Sequence, residues 1–149
     1  MDTSREALSL AKDNAARNGF DENLFEWVEE DVFALLRRFR NEGRRFDVVI
    51  LDPPKFAPTP AAAEKAARGY KDINLLAMGL LRPGGILATF SCSGGIDAEL
   101  FSKIVAGAAL DAGADMRTVA RLTQGPDHPV SVHFPEGAYL KGLICIKAG

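Results

Sequence analysis

The chain has 149 residues, 47% of them hydrophobic and 26% charged, with a formal net charge of −2 and a pI near 5.7. These are ordinary values for one globular domain with a real core. They exclude bulk electrostatic capture of nucleic acid, which needs a strong basic excess, so any such contact must come from a local patch or a partner domain. No apolar run reaches the roughly 18 residues of a membrane span, and no charged-then-apolar signal segment opens the chain. The two cysteines, Cys92 and Cys145, lie too far apart in sequence to form a disulfide framework. A reduced, cytoplasmic setting is the simple reading.

In chain order, Thr3-Ser4-Arg5-Glu6 reads as a capping box, with a hydroxyl residue followed three positions on by Glu. It predicts a helix through about Arg17, with Gly19 just past the end. Residues 25–29 are a short strand candidate. Asp31 suits the N-cap of a second helix, whose apolar residues include Phe33, Leu36 and Phe39 and which Gly43 ends. Phe46 to Leu51 is a nearly continuous apolar run, the pattern of a parallel strand buried on both faces. Four prolines between Pro53 and Pro60 rule out regular structure there, and residues 61–67 read as a short helix or a lid. Residues 73–81 are helical and stop at Pro83-Gly84-Gly85. Residues 86–90 are a second buried strand. Ile96, Leu100, Phe101, Ile104, Val105, Ala108 and Ala109 fall on one helical face, closed by Gly113. Residues 116–122 and 139–146 are the last strands, joined by a loop over 128–137.

Helices and strands that alternate in this way call for a mostly parallel sheet with helices on both faces, an α/β Rossmann-like architecture. Two final strands with no helix between them imply an antiparallel edge hairpin. No linker breaks the pattern, so residues 1–149 form a single domain. Ligands of such sheets sit outside the carboxyl ends of the strands. That rule selects Asp2, Glu30-Asp31, Asp52 and Ser91-Cys92-Ser93.

Asp52-Pro53-Pro54-Lys55-Phe56 follows a strand directly, and its two prolines make a stiff turn that holds the carboxylate at the sheet edge. Cys92, between Ser91 and Ser93 and ahead of Gly94-Gly95, has an open approach, and a nearby helix N-terminus would favour its thiolate. Position alone also allows an inert core thiol, which is how Cys145 reads within Leu143-Ile144-Cys145-Ile146. An acidic residue at the place of Asp2 hydrogen-bonds ribose hydroxyls in nucleotide-binding sheets. Asp31, with Val32 beside it, can meet an adenine amino group while still capping its helix. Arg68-Gly69-Tyr70-Lys71-Asp72 combines two cations with an aromatic able to stack on a base, for substrate contact or for ordering the preceding loop. Arg37, Arg38, Arg40, Arg44 and Arg45 form either a solvated helix face or a phosphate contact. His128 and His133 lack the spacing of a metal site, and no metal is expected.

Together, Asp52-Pro53-Pro54-Lys55-Phe56, Arg68-Gly69-Tyr70-Lys71-Asp72-Ile73-Asn74, Phe90-Ser91-Cys92-Ser93-Gly94, Asp127-His128-Pro129 and Pro135-Glu136-Gly137-Ala138-Tyr139-Leu140-Lys141-Gly142 resemble the bacterial large-subunit ribosomal RNA cytosine-5 methyltransferase I family. The resemblance implies a class I methyltransferase fold, S-adenosylmethionine as donor and a cytosine of 23S rRNA as substrate. It implies that Asp2, Asp31, Val32, Asp52 and Pro53 serve the donor and that Cys92 is the nucleophile. It implies that Pro54, Lys55, Phe56, Arg68, Tyr70 and Lys71 serve the RNA, and Asp52 is a candidate for the base that removes the carbon 5 proton. The family's N-terminal PUA-type domain, first strand and glycine-rich donor loop have no counterpart in the sequence. The expected sheet is therefore N-terminally truncated, with a homodimer across its open edge as one way to complete it. Guanine-N2 methylation, which needs no cysteine, and a non-catalytic module that requires a partner chain are the alternatives.

Overall fold

The computed structural model describes residues 1–56 and 63–149. In chain order the elements are helices α1 (Arg5–Arg17) and α2 (Val32–Asn41), strand β1 (Phe46–Leu51), helix α3 (Ala63–Leu80), strand β2 (Leu81–Ser91), helix α4 (Ala98–Asp111) and strands β3 (Met116–Leu122) and β4 (Lys141–Lys147). Short 3-10 turns lie at Glu22–Leu24 and Pro135–Gly137.

The cap of α1 is Ser4 rather than Thr3, and its hydroxyl accepts from the Ala7 N–H at 3.1 Å. The Glu of a capping box is not used, because the Asp2 carboxylate takes the Ser4 N–H at 2.7 Å. Asp31 caps α2 as expected, and its Oδ1 accepts from Phe33 and Ala34, both at 3.0 Å. Gly19 and Gly43, just past the ends of α1 and α2, have φ of 72° and 69°, a region open to glycine at little cost. No strand forms over residues 25–29. Glu29 makes a single parallel bridge to Asp2, and Phe25 stacks on Trp27 at 5.1 Å.

Helix α3 begins ten residues before the expected helix start at Ile73 and runs straight through Gly69. Gly69 is no break. A Cβ there would lie 3.3 Å from the Phe56 ring, so the glycine admits that ring against the helix. Of the Pro-rich loop and the expected short helix, residues 57–62 lie outside the described residues. Ile96 is not part of α4. Asp97 caps that helix through a 2.7 Å bond from the Leu100 N–H, and Ile96 is buried just ahead of it.

The four strands stand in the order β1-β2-β4-β3. β1 and β2 are parallel, while β4 runs antiparallel to both β2 and β3. Three strands thus point one way, and the last two make an antiparallel hairpin at one edge of the sheet. Within that hairpin the later strand is the inner one. β4 has apolar residues on both faces in Leu143, Ile144, Cys145 and Ile146, as an interior strand requires, whereas β3 carries Arg117 and Arg121 and suits an edge.

β2 starts earlier than expected. Phe46 pairs with Leu81 and Val48 with Ile86, so Arg82-Pro83-Gly84-Gly85 forms a bulge in the ladder. A Cβ on Gly85 would lie 2.9 Å from the Arg82 carbonyl oxygen and 3.2 Å from that of Asp47. Backbone blocks it on both sides, so Gly85→Ala should destabilise the fold by about 1–3 kcal/mol. A thermal melt within about 1 °C of the parent would contradict this.

Helices α2, α3 and α4 pack on one face of the sheet, where Leu35, Phe39, Leu51, Tyr70, Ile73, Leu87, Phe101, Ile104, Leu143 and Cys145 share one core. The expectation that β1 is buried on both faces is not met. Val49 and Leu51 face the helices, but Val48 and Ile50, alternating to the other face, are 52% and 68% exposed. None of these three helices covers that face, and an apolar run cannot by itself tell one covered face from two.

Candidate active site

The sheet brings the sequence-selected residues to one end. Asp2, Asp31, Val32, Asp52, Pro53, Pro54 and Phe56 line a cavity of about 460 Å³, together with Phe33, Leu36, Val49, Ile50 and Ile73. That volume lies in the range of small-molecule sites. Asp52 stands exposed at the end of β1, while Pro53 is buried behind it. Asp31 uses one carboxylate oxygen, Oδ1, for both helix N–H groups. The carboxylate of Asp2 turns back to the start of α1.

Cys92 follows β2 and is partly buried. Its Sγ lies 4.0 Å from the Pro53 carbonyl oxygen, so the thiol loop and the Asp-Pro-Pro loop are neighbours. The thiol does not sit on the N-terminus of α4, because the Asp97 side chain closes that end. The residue after Cys92 is held from several sides. Ser93 is fully buried, its Oγ is 2.9 Å from the Tyr70 hydroxyl, its N–H donates to Ser91 Oγ at 3.3 Å, and its carbonyl accepts from Lys141 Nζ at 2.7 Å. Burial pushes the Lys141 ammonium below the ordinary lysine range, and Cys92 and Asp97 nearby pull it back up. Burial pushes the Cys145 thiol up, in keeping with a core residue.

Tyr70 has 0% exposed surface. Its ring lies between Phe56, at 4.7 Å, and Phe101, at 5.7 Å edge-on. A ring so enclosed offers no face to a base, so of its two expected roles the structure fits the ordering of a loop. Lys71 pairs with Asp111 of α4 at 2.7 Å, and Arg68 with Glu64 one turn back, so neither is gathered at the cavity. Lys55 is exposed, with Nζ 5.3 Å from the Tyr139 ring centre. The arginines of α2 and the turn after it are largely engaged. Arg37 pairs with Asp72, and Arg38 with Glu30 and Glu42. Arg44 pairs with Glu26 while lying 4.0 Å over the Phe39 ring. The Arg44 hydrogen bond holds the Glu26 carboxyl below its usual range. The solvated-face reading of this cluster fits these contacts, which leave little of it for phosphate.

Sequence reasoning assigned no role to Lys141, Gln124 or Asp97. Gln124 gathers the loop before β4, donating to the carbonyls of Gly137 at 2.7 Å and His128 at 3.3 Å. A second cavity, of about 850 Å³, opens beside Lys141 and Gly94, with Asp97, Gln124, His128, Glu136 and Tyr139 in its wall. The Tyr139-Leu140-Lys141-Gly142 motif was the available signal, but the partners it meets lie far off in sequence. Among the described residues no cluster of three or more His, Cys, Asp or Glu is placed to hold a metal ion, and no helix is long and apolar enough to cross a membrane.

Two curated relatives, the ribosomal RNA large subunit methyltransferase I of Shewanella amazonensis and that of Klebsiella pneumoniae, are 56% and 52% identical to the chain over 144 and 145 residues. The resemblance is to this family, and it runs nearly the whole chain. Each alignment covers 97% of the chain but 36% of the relative, so the chain spans about a third of the length of the proteins it matches. No family profile matches the chain. Among solved structures, a protein described as a methyltransferase in complex with SAH superposes with a TM-score of 0.82 at 18% identity, covering 97% of this chain and 37% of that one. NSun6 from Pyrococcus horikoshii, with SFG, gives 0.62 at 20% identity, covering 97% and 39%. At these identities the likeness is one of fold, the Rossmann-like class I methyltransferase sheet.

Proposed function

We propose that the protein methylates carbon 5 of a cytosine in 23S ribosomal RNA, with S-adenosylmethionine as donor and Cys92 as nucleophile. The observation that carries this reading is the meeting of the Cys92 loop with the Asp52-Pro53-Pro54 loop at the rim of a cavity lined by Asp2 and Asp31. Carboxylates suit the hydroxyl and amino donors of a nucleoside, and Val32, Phe33 and Phe56 supply an apolar wall, so the residues fit the nucleoside part of the donor. When bound, the donor supplies an electrophilic methyl group. Carbon 5 of cytosine is a poor nucleophile. The Cys92 thiolate forms a bond to carbon 6 and converts the ring to an enamine whose carbon 5 is nucleophilic. Once carbon 5 carries the methyl group, its proton passes to a base, for which Asp52 is the candidate. The carbon 6–sulfur bond then breaks with its electron pair on sulfur, restoring the ring double bond and the thiolate. Lys55, exposed on the Asp-Pro-Pro loop between Pro54 and Phe56, is the residue that meets the RNA in this reading, while Tyr70 orders that loop from α3 through the Phe56 ring. The setting this requires is cytoplasmic.

The test is transfer of labelled methyl groups to 23S rRNA followed by nuclease digestion. The expected product is 5-methylcytosine; N2-methylguanine would establish the alternative chemistry instead. Asp31→Asn probes the donor site separately from the fold. Asparagine caps a helix as well as aspartate does, so the melting temperature should hold. Its single side-chain oxygen is then spent on the cap, and its amide nitrogen faces the ligand as a donor. Affinity for S-adenosylhomocysteine, measured by calorimetry, should fall about 10-fold to 100-fold. Unchanged affinity would remove Asp31 from the donor site.

The place of β1 at the end of the strand order favours one further reading, in which a second copy of the chain pairs with its free edge. A monomeric molar mass in light scattering would rule that out.

A further inference from the structure

We propose that Lys141 is a positioning residue for Cys92, acting through the main chain of the loop that carries the thiol. The proposal rests on the reading of Cys92 as nucleophile and adds to it a residue from the opposite end of the chain. Lys141 opens β4 and pairs across the sheet with Ser91, the residue before Cys92. Its ammonium then reaches past the thiol residue to the carbonyl of Ser93, the residue after it, at 2.7 Å. Tyr70 fixes the side chain of the same serine at 2.9 Å, and Ser93 N–H closes back on Ser91 Oγ. Cys92 is thus a single residue suspended between two anchored neighbours, and its Sγ points toward the Pro53 carbonyl. An ammonium donating to a carbonyl is stronger and more directional than a neutral pair. Burial works against the Lys141 charge, so a purely structural position would be served as well by an apolar side chain of similar length.

The same strand contains a control. Lys147, at the other end of β4, donates to the carbonyls of Met78 and Leu81, both at 3.0 Å. It staples the end of α3 to the sheet by the same chemistry but far from the thiol loop. If lysine staples on β4 serve stability alone, losing either one has the same kind of consequence.

The experiment compares Lys141→Met, Lys141→Arg and Lys147→Met in the full chain. Methyl transfer is measured as kcat and KM, and hydrogen exchange is measured over residues 91–95. Lys141→Met should lower kcat about 10-fold to 100-fold with KM for donor and RNA within about twofold, the signature of a displaced reacting group. Lys141→Arg should recover most of the loss. Exchange over residues 91–95 should quicken about 10-fold in Lys141→Met and stay at the parent rate in Lys147→Met, which should lower only the melting temperature. A Lys141→Met protein with parental kcat, or one no more impaired than Lys147→Met, overturns the proposal. If the Met variant does not fold, Lys141→Gln, which removes the charge and shortens the reach to the Ser93 carbonyl, takes its place, and parental kcat with unchanged exchange over residues 91–95 then overturns it. A parent that binds S-adenosylhomocysteine yet transfers no methyl group contradicts the reading of Cys92, while the exchange comparison still decides whether Lys141 holds the loop.

Discussion

Cys92→Ala is expected to lower methyl transfer by about 10³-fold or more while leaving the fold and donor binding intact. The size follows from the chemistry. Without the bond from sulfur to carbon 6 the ring has no route to a nucleophilic carbon 5, and nothing else in the site replaces a covalent step. The stability cost is small, since Cys92 is only partly buried and its Sγ makes only a 4.0 Å approach to the Pro53 carbonyl oxygen. Rates with labelled donor, together with calorimetric binding of S-adenosylhomocysteine, separate the two effects. If the alanine variant kept activity within about tenfold of the parent, the thiol would not be the nucleophile, and an amino-methylating reaction would become the better account. Cys145 is the internal comparison. It is buried in the sheet beside Thr118, so its replacement should cost stability and leave chemistry untouched.

Phe101→Ala should cost about 3–5 kcal/mol of stability, the usual range for deleting a buried aromatic ring. The ring is 1% exposed on α4 and meets Tyr70 edge-on at 5.7 Å. Single domains have only about 5–15 kcal/mol in hand, and each kcal/mol lost lowers the melting temperature of a chain this size by about 2–4 °C. A fall of roughly 6–20 °C is therefore expected. The Tyr70 ring would lose one of its two aromatic walls, so the Ser93 anchor should loosen and kcat should fall even below the melting transition. Leu110→Ala on the same helix, where the side chain is exposed, should change neither quantity. A loss under about 1 kcal/mol for Phe101→Ala would mean that the α3–α4 core is not packed as described.

Much of this was legible in the sequence, because local rules governed it. The Asp31 cap, the glycines after α1 and α2, and the apolar run of β1 all act within a turn or a strand. The stiff Asp52-Pro53-Pro54 turn and the placing of Cys92 at a strand end followed from the same reading. The misses share one cause, contacts between distant residues. Residues 68–72 read as a gap between a short helix and the next one, because the Phe56 ring that packs on Gly69 lies outside the helix. The inner place of β4 depends on pairing with β2, which chain order does not specify. Sequence leaves Tyr70 between base stacking and loop ordering, and only the enclosure of its ring by Phe56 and Phe101 favours the second. Lys141 could not be assigned from pattern at all, since its partner Ser93 lies 48 residues away.

The most direct test of the central claim is incubation of the protein with donor and a 23S rRNA fragment containing 5-fluorocytosine, which cannot lose its carbon 5 substituent as a proton. The account predicts a denaturant-resistant protein–RNA adduct that depends on donor and maps to Cys92 by mass spectrometry. A protein that binds S-adenosylhomocysteine yet forms no adduct, or one whose adduct maps elsewhere, would contradict it.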